Sequence, residues 1–144
     1  MSKYLHPLPS EVDDLPDKMS DVIDIALRDL ESAERSDAMG IDMTWWMRVE
    51  RPGVCTVCLA GGVMVGLGID PSLPYLPSHF NEHNHIRLLA LDALRFEPDH
   101  WSVHPLLDEY VPTKKVGYVD YREDPAEFKD RFREIAKDMR SQGL

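Results

Sequence analysis

Residues 54–68 read VCTVCLAGGVMVGLG, and the form this stretch takes decides the fold. As a helix it is apolar on every face, so it must be central and buried. Ala60, Gly61 and Gly62 would then let a neighbour approach closely, at a cost in helix propensity. As strands it is two short apolar runs turning at Gly61-Gly62. Periodicity does not arbitrate between short apolar runs. The helical form is the one expected. Even extended to Ile69, the run is shorter than the ~20 residues a membrane-spanning helix needs.

The flanks are easier to read. Upstream, Val22, Ile23, Ala26, Leu27, Leu30 and Ala33 recur at three- and four-residue spacing, which predicts an amphipathic helix over 18–35. On its polar side, Asp24 with Arg28 and Glu31 with Arg35 are i,i+4 pairs. Residues 43–50, MTWWMRVE, alternate as a strand does, and Arg51-Pro52-Gly53 reads as a turn. Downstream, Pro71, Pro74 and Pro77 mark a loop over 70–80. A helix follows over 82–96, with Ile86, Leu89, Ala90, Ala93 and Leu94 as its stripe and Asn81 or Asn84 as its cap. Residues 99–110 suggest a short helix opened by Asp99 and split by Pro105. Residues 115–121, KVGYVDY, read as a second strand to pair with 43–50. The last helix has Asp124 as cap, Pro125 in its first turn and Glu127 to complete a capping box. Its stripe is Phe128, Phe132, Ile135, Ala136 and Met139, with Gly143 past its end.

The expected architecture is therefore one domain over 1–144, mainly α with a minor β component (α+β). About four helices surround a central apolar helix, beside one short antiparallel strand pair. Residues 1–17, with Pro7, Pro9 and Pro16, form an extended N-terminal arm. Hydrophobic residues make up 43% and charged residues 29% of 144, which is a globular composition able to build a core.

The formal charge is −10, and residues 1–50 carry 12 acids against 5 bases. Binding to phosphate backbones needs clustered Lys and Arg, and only Lys114-Lys115 and a mixed-sign last helix offer any. Direct nucleic-acid and membrane partners are therefore not expected. A protein partner with a basic surface is, with the Asp/Glu-rich stretch Glu11 to Asp42 as the first docking candidate. The N-terminus lacks the basic-then-apolar order of a secretory signal, so a cytoplasmic protein with reduced cysteines is expected.

Cys55-Thr56-Val57-Cys58 is the most conspicuous motif. On a helix, thiols three residues apart share a face, and one in the first turn would be activated by unpaired N–H groups. The alternative is that both are small core residues, since free cysteine is among the most buried types. Histidines cluster at His79, His83, His85, His100 and His104. Zinc closes a tetrahedron with two thiolates and two imidazoles, which makes Cys55, Cys58, His79 and His83 the metal candidates. The separation of Cys58 from His79 exceeds that of a small zinc finger, and no cofactor is expected. GxSxG, HExxH and P-loop motifs are absent. Asp92 with Arg95 is an i,i+3 structural pair, Asp108-Glu109 an adjacent carboxylate pair, and Trp45, Trp46 and Trp101 are pocket or core aromatics.

Cys55-Thr56-Val57-Cys58-Leu59-Ala60-Gly61, with Ala90-Leu91-Asp92-Ala93-Leu94-Arg95 downstream, resembles small uncharacterised proteins carried by bacteriophages and plasmids. The likeness covers about a third of the chain. Such proteins usually show Ala at the position of Gly62, which agrees with the helical form. The resemblance implies an accessory protein of a mobile element that binds and redirects a host protein inside a bacterium, and it carries over no functional residue. The functional expectation is a non-enzymatic interaction module. The alternatives are a structural zinc protein and a small hydrolase with a pocket around His79–His104.

Overall fold

A computed structural model of the chain describes residues 15–37, 39–43, 47–51, 54–67, 82–96, 101, 104–113 and 117–144. The elements are α1 (Met19–Glu34), β1 (Met39–Ile41), β2 (Met47–Arg51), β3 (Val54–Val57), α2 (Leu59–Gly66), α3 (Glu82–Ala93), a 3-10 turn (Pro105–Leu107) and α4 (Pro125–Ser141). The protein is mainly helical with a small sheet.

The deciding stretch takes both forms in succession. Val54–Val57 is a strand and Leu59–Gly66 a helix, with Cys58 between them as the helix cap. The whole-length helix expected from sequence is thereby shortened, yet its second half is the central apolar helix foreseen. Residues 57–65 are all buried. One side of α2 joins the main core through Leu59, Ala60, Val63 and Met64. Val65 joins Val57, Met39 and Ala33 of α1 in a smaller cluster against the sheet.

Gly62 lies inside this helix, and a Cβ there would meet Val57 Cγ2 at 3.9 Å and Asp29 Cβ at 4.0 Å, which is ordinary contact. Gly62→Ala is therefore expected to stabilise the fold by about 0.5–1 kcal/mol, through lower chain entropy before folding and better helix propensity. A urea midpoint at or below that of the parent would refute this.

The sheet corrects the sequence reading. Among the described residues it has three strands in the order β1-β3-β2, not a single antiparallel pair. Central β3 runs parallel to β1, with Met39, Gly40 and Ile41 opposite Cys55, Thr56 and Val57. It runs antiparallel to β2, with Met47 opposite Val57, Arg48 opposite Thr56 and an irregularity between Val49 and Arg51. The partner of β2 is thus β3 and not 115–121. A hairpin closes a short loop, whereas the expected pairing had to close a long one. Residues 117–121 form no strand because their backbone is used otherwise. Arg131 takes the Gly117 carbonyl, and the Asp120 carbonyl accepts from the N–H groups of Glu123 and Asp124 in a turn. Residues 44–46, the Pro52-Gly53 turn, the loop at 70–80, Asp99 and residues 115–116 lie outside the described residues. Around Pro105 the described residues form a single 3-10 turn, Pro105–Leu107.

α1 and α4 match their predicted stripes, and both faces are sealed. They pack antiparallel, because rising positions on α4 meet falling positions on α1. Lys129 bonds Glu34 at 2.8 Å, Arg133 bonds Glu31 at 2.8 Å, and Arg140 bonds Asp24 at 2.7 Å and Asp21 at 3.1 Å. Asp24 and Glu31 thus reach across to α4, where the sequence had suggested partners one turn along α1. Each such exposed pair contributes little, and their set fixes direction and register. At the start of α4, Asp124 Oδ1 accepts from the Glu127 N–H at 3.0 Å, as predicted. At its end Gly143 takes φ +79°, and the Leu144 N–H returns to the Met139 carbonyl at 2.9 Å, a glycine-dependent helix stop.

α3 is rotated relative to expectation. Its buried residues are Asn84, Leu88, Ala90 and Leu91, with Leu94 just beyond, whereas Leu89 is 41% exposed. Asn84 is not its cap: the Oδ1 accepts from the Leu15 N–H at 2.8 Å. Beside it the His83 Nε2–H donates to the Leu15 carbonyl at 2.7 Å, and Arg87 donates to the carbonyls of Pro16, Asp17 and His83. This clamp seats Leu15 in the core. Arg131 of α4 is a second clamp. It is nearly buried and donates to the carbonyls of Leu94 at 2.9 Å, Phe96 at 3.0 Å and Gly117 at 2.7 Å.

Candidate functional site

Cys58 is 1% exposed, and its Sγ accepts from the Gly61 N–H at 3.4 Å. Burial pushes its thiol up to about 11, against the opposing pull of the Gly61 N–H, and nearby Asp92 adds to the rise. A thiol so placed holds its proton at neutral pH and acts as a helix cap. This is the core-residue alternative, reached through a capping role that sequence did not suggest. Cys55 pairs in β3, and its side chain lies outside the described residues, as do His79 and His100 in full. His83 belongs to the Leu15 clamp. His104 caps the 3-10 turn, its Nδ1 accepting from the Leu106 N–H at 3.3 Å, and burial lowers its pKa. Among the described residues, no three His, Cys, Asp or Glu side chains group to hold a metal ion. Trp101 is a core residue stacked on Tyr110 at 5.8 Å between ring centres, while Trp45 and Trp46 lie outside the described residues. Asp108 and Glu109 are exposed.

Another place collects polar side chains of both signs. A crevice of about 200 Å³ opens where β1 ends, α3 ends and the loop before α4 passes. Ile41, Asp42 and Met43 form one wall and Arg95 the base; Tyr118, Asp120, Tyr121 and Arg122 form the other wall. A recess of about 20 Å³ continues from it toward Val119 and Phe128. Arg95 is held firmly. Its Nε donates to Asp92 at 2.8 Å, the i,i+3 pair expected from sequence, and one Nη donates to the Met43 carbonyl. Its guanidinium also lies 4.3 Å from the Phe96 ring centre. Asp120 Oδ1 accepts from the Arg122 N–H at 2.9 Å, which shapes the opposite wall. The Tyr121 hydroxyl donates to Glu34, which also receives Lys129. What this arrangement can do chemically is recognise a ligand by hydrogen bonds, charge and ring contact.

The sequence contained the Asp92–Arg95 pair but not its second task, because Met43 lies far from Arg95 in the chain. Tyr118, Asp120 and Tyr121 were assigned to a strand, and Arg122 lay just past its end. The signal that could have found the turn is Asp120 two residues before Arg122, the spacing of a side-chain-to-backbone turn.

Two carboxylates here are tuned. Burial alone would raise Glu34, but hydrogen bonds from Lys129 and Tyr121 outweigh it and hold the group below its ordinary 4.5. On α4, Asp138 is held below 3.8 by the Thr113 hydroxyl and N–H, with Tyr110 contributing. A carboxylate depressed by folding stabilises the fold fully above its unfolded pKa, and that contribution is lost as pH falls through the folded one. The urea midpoint should therefore fall as pH drops below about 4.5, and less steeply in Glu34→Gln. An equal slope in both proteins would contradict this.

Compared with protein-family models, curated proteins and solved structures, the chain shows no significant match. No described helix is long and apolar enough to cross a membrane.

Proposed function

We propose that this domain is a non-enzymatic interaction module that docks on a basic protein surface. One observation carries the reading: six cations are engaged within the fold while a set of carboxylates is left exposed. Arg87 and Arg131 spend their donors on internal carbonyls, Arg95 on Asp92 and Met43, and Lys129, Arg133 and Arg140 on α1. Asp37, Asp108, Glu109, Glu123 and Glu127 are exposed. These carboxylates add to the acidity of a chain whose net charge is −10. The docking stretch moves accordingly. Between Glu11 and Asp42, Asp21, Asp24, Glu31 and Glu34 are paired with α4 and Asp29 is buried, so they are not the carboxylates offered to a partner. The phage and plasmid likeness supports a host protein in the bacterial cytoplasm as the target.

The zinc alternative at Cys55, Cys58, His79 and His83 gains no support from Cys58 or His83, each engaged in a structural bond. The hydrolase alternative gains none from His83 or His104, neither of which lines the crevice.

The test is capture from bacterial lysate on the immobilised full chain. A basic protein should be retained at low salt and released as salt screens the contact. A variant with Asp37→Asn, Asp108→Asn, Glu109→Gln and Glu127→Gln should melt like the parent yet lose it. Capture that ignores both salt and these four changes, or no specific capture, would overturn the reading.

A further inference from the structure

The geometry points to the crevice between β1, α3 and the 117–122 loop as a binding site for a small zwitterion, a free α-amino acid of about valine's size. This is independent of the docking surface.

The charge pattern comes first. The walls carry two guanidinium groups, Arg95 and Arg122, and two carboxylates, Asp42 and Asp120. A purely anionic ligand would meet both acids, and a purely cationic one both arginines. A molecule bearing one carboxylate and one ammonium meets a partner for each. The key donor is fixed in advance. With Nε on Asp92 and one Nη on Met43, Arg95 presents its remaining nitrogen from a held guanidinium, so little ordering is left for the ligand to impose. Asp120 is likewise held by the Arg122 N–H and keeps a second oxygen for an ammonium.

Size narrows the class. An apolar cavity of about 150 Å³ takes benzene, with six heavy atoms. By that scale the part of a ligand held within the open 200 Å³ crevice is about eight heavy atoms, which is the size of valine. The recess toward Val119 and Phe128, at about 20 Å³, has room for about one water, and the exposed ring of Tyr118 lines the crevice.

The test is an NMR titration of the full chain with L-valine, N-acetyl-L-valine and L-valinamide. L-valine should produce saturable shifts confined to residues 41–43, 95 and 118–122, with an affinity of about 1 mM or tighter. Each blocked analogue should bind about tenfold more weakly or worse, since each loses one charge-assisted bond. Asp120→Asn keeps the turn acceptor and should weaken L-valine similarly while leaving the melting temperature in place. The assignment is overturned by an absence of saturable shifts with L-valine, by equal binding of either blocked analogue, by unchanged affinity in Asp120→Asn, or by glucose occupying the crevice in preference to L-valine.

Discussion

Arg131→Ala is expected to destabilise the protein by about 3 kcal/mol, read as a lower urea midpoint with an unchanged slope. The guanidinium serves three carbonyls at once, two of them at the end of α3 and one in the loop before α4. The end of a helix leaves carbonyls without intrahelical donors, and it carries the negative end of the dipole, so a buried cation is well placed there. Removing it strands the buried Leu94 carbonyl, frees two part-buried ones, and deletes a guanidinium lying 5.3 Å from the Phe132 ring centre. Arg131→Lys should recover only part of the loss, because an ammonium lacks the planar fork that reaches three acceptors. A loss below about 1 kcal/mol in the alanine variant would mean that solvent already satisfies those carbonyls.

Phe132→Ala should cost about 3–5 kcal/mol. The ring is fully buried and lies 5.0 Å from the Phe128 ring centre, in the core that α4 shares with α1. Its neighbours belong to separate elements and cannot collapse into the space without moving a helix. Domains of this size hold about 5–15 kcal/mol in all, so this one change should bring the melting temperature down by many degrees. Phe132→Leu, which keeps much of the volume, should cost far less. Equal losses for alanine and leucine would contradict a packing origin.

What the sequence revealed follows from how locally each element is specified. The stripes of α1 and α4, and the Asp124 cap, are written within a few residues, and the fold keeps them. α3 was placed correctly but turned wrongly. Ile86, Leu88, Leu89, Leu91 and Leu94 overlay two possible stripes, and only packing chooses between them. The 54–68 stretch was half right under each reading, because a cysteine acting as a helix cap between strand and helix is not among the usual capping signals. Residues 117–121 have strand composition, yet Arg131 and the Asp120 turn claim their backbone. The crevice was least legible. One pair in it, Asp92 with Arg95, obeys helical spacing, but its walls come from segments that only the tertiary fold brings together.

The chain is built around a sealed junction, with β3 running into α2 through a protonated, buried Cys58. The most direct test of that seal is the rate at which a disulfide reagent labels the Cys55→Ser variant, in which Cys58 is the remaining thiol. Labelling in native buffer should proceed no faster than global unfolding measured independently, and raising the pH to about 9 should not release a fast phase. A thiol that reacts completely within seconds in the folded protein would contradict that claim.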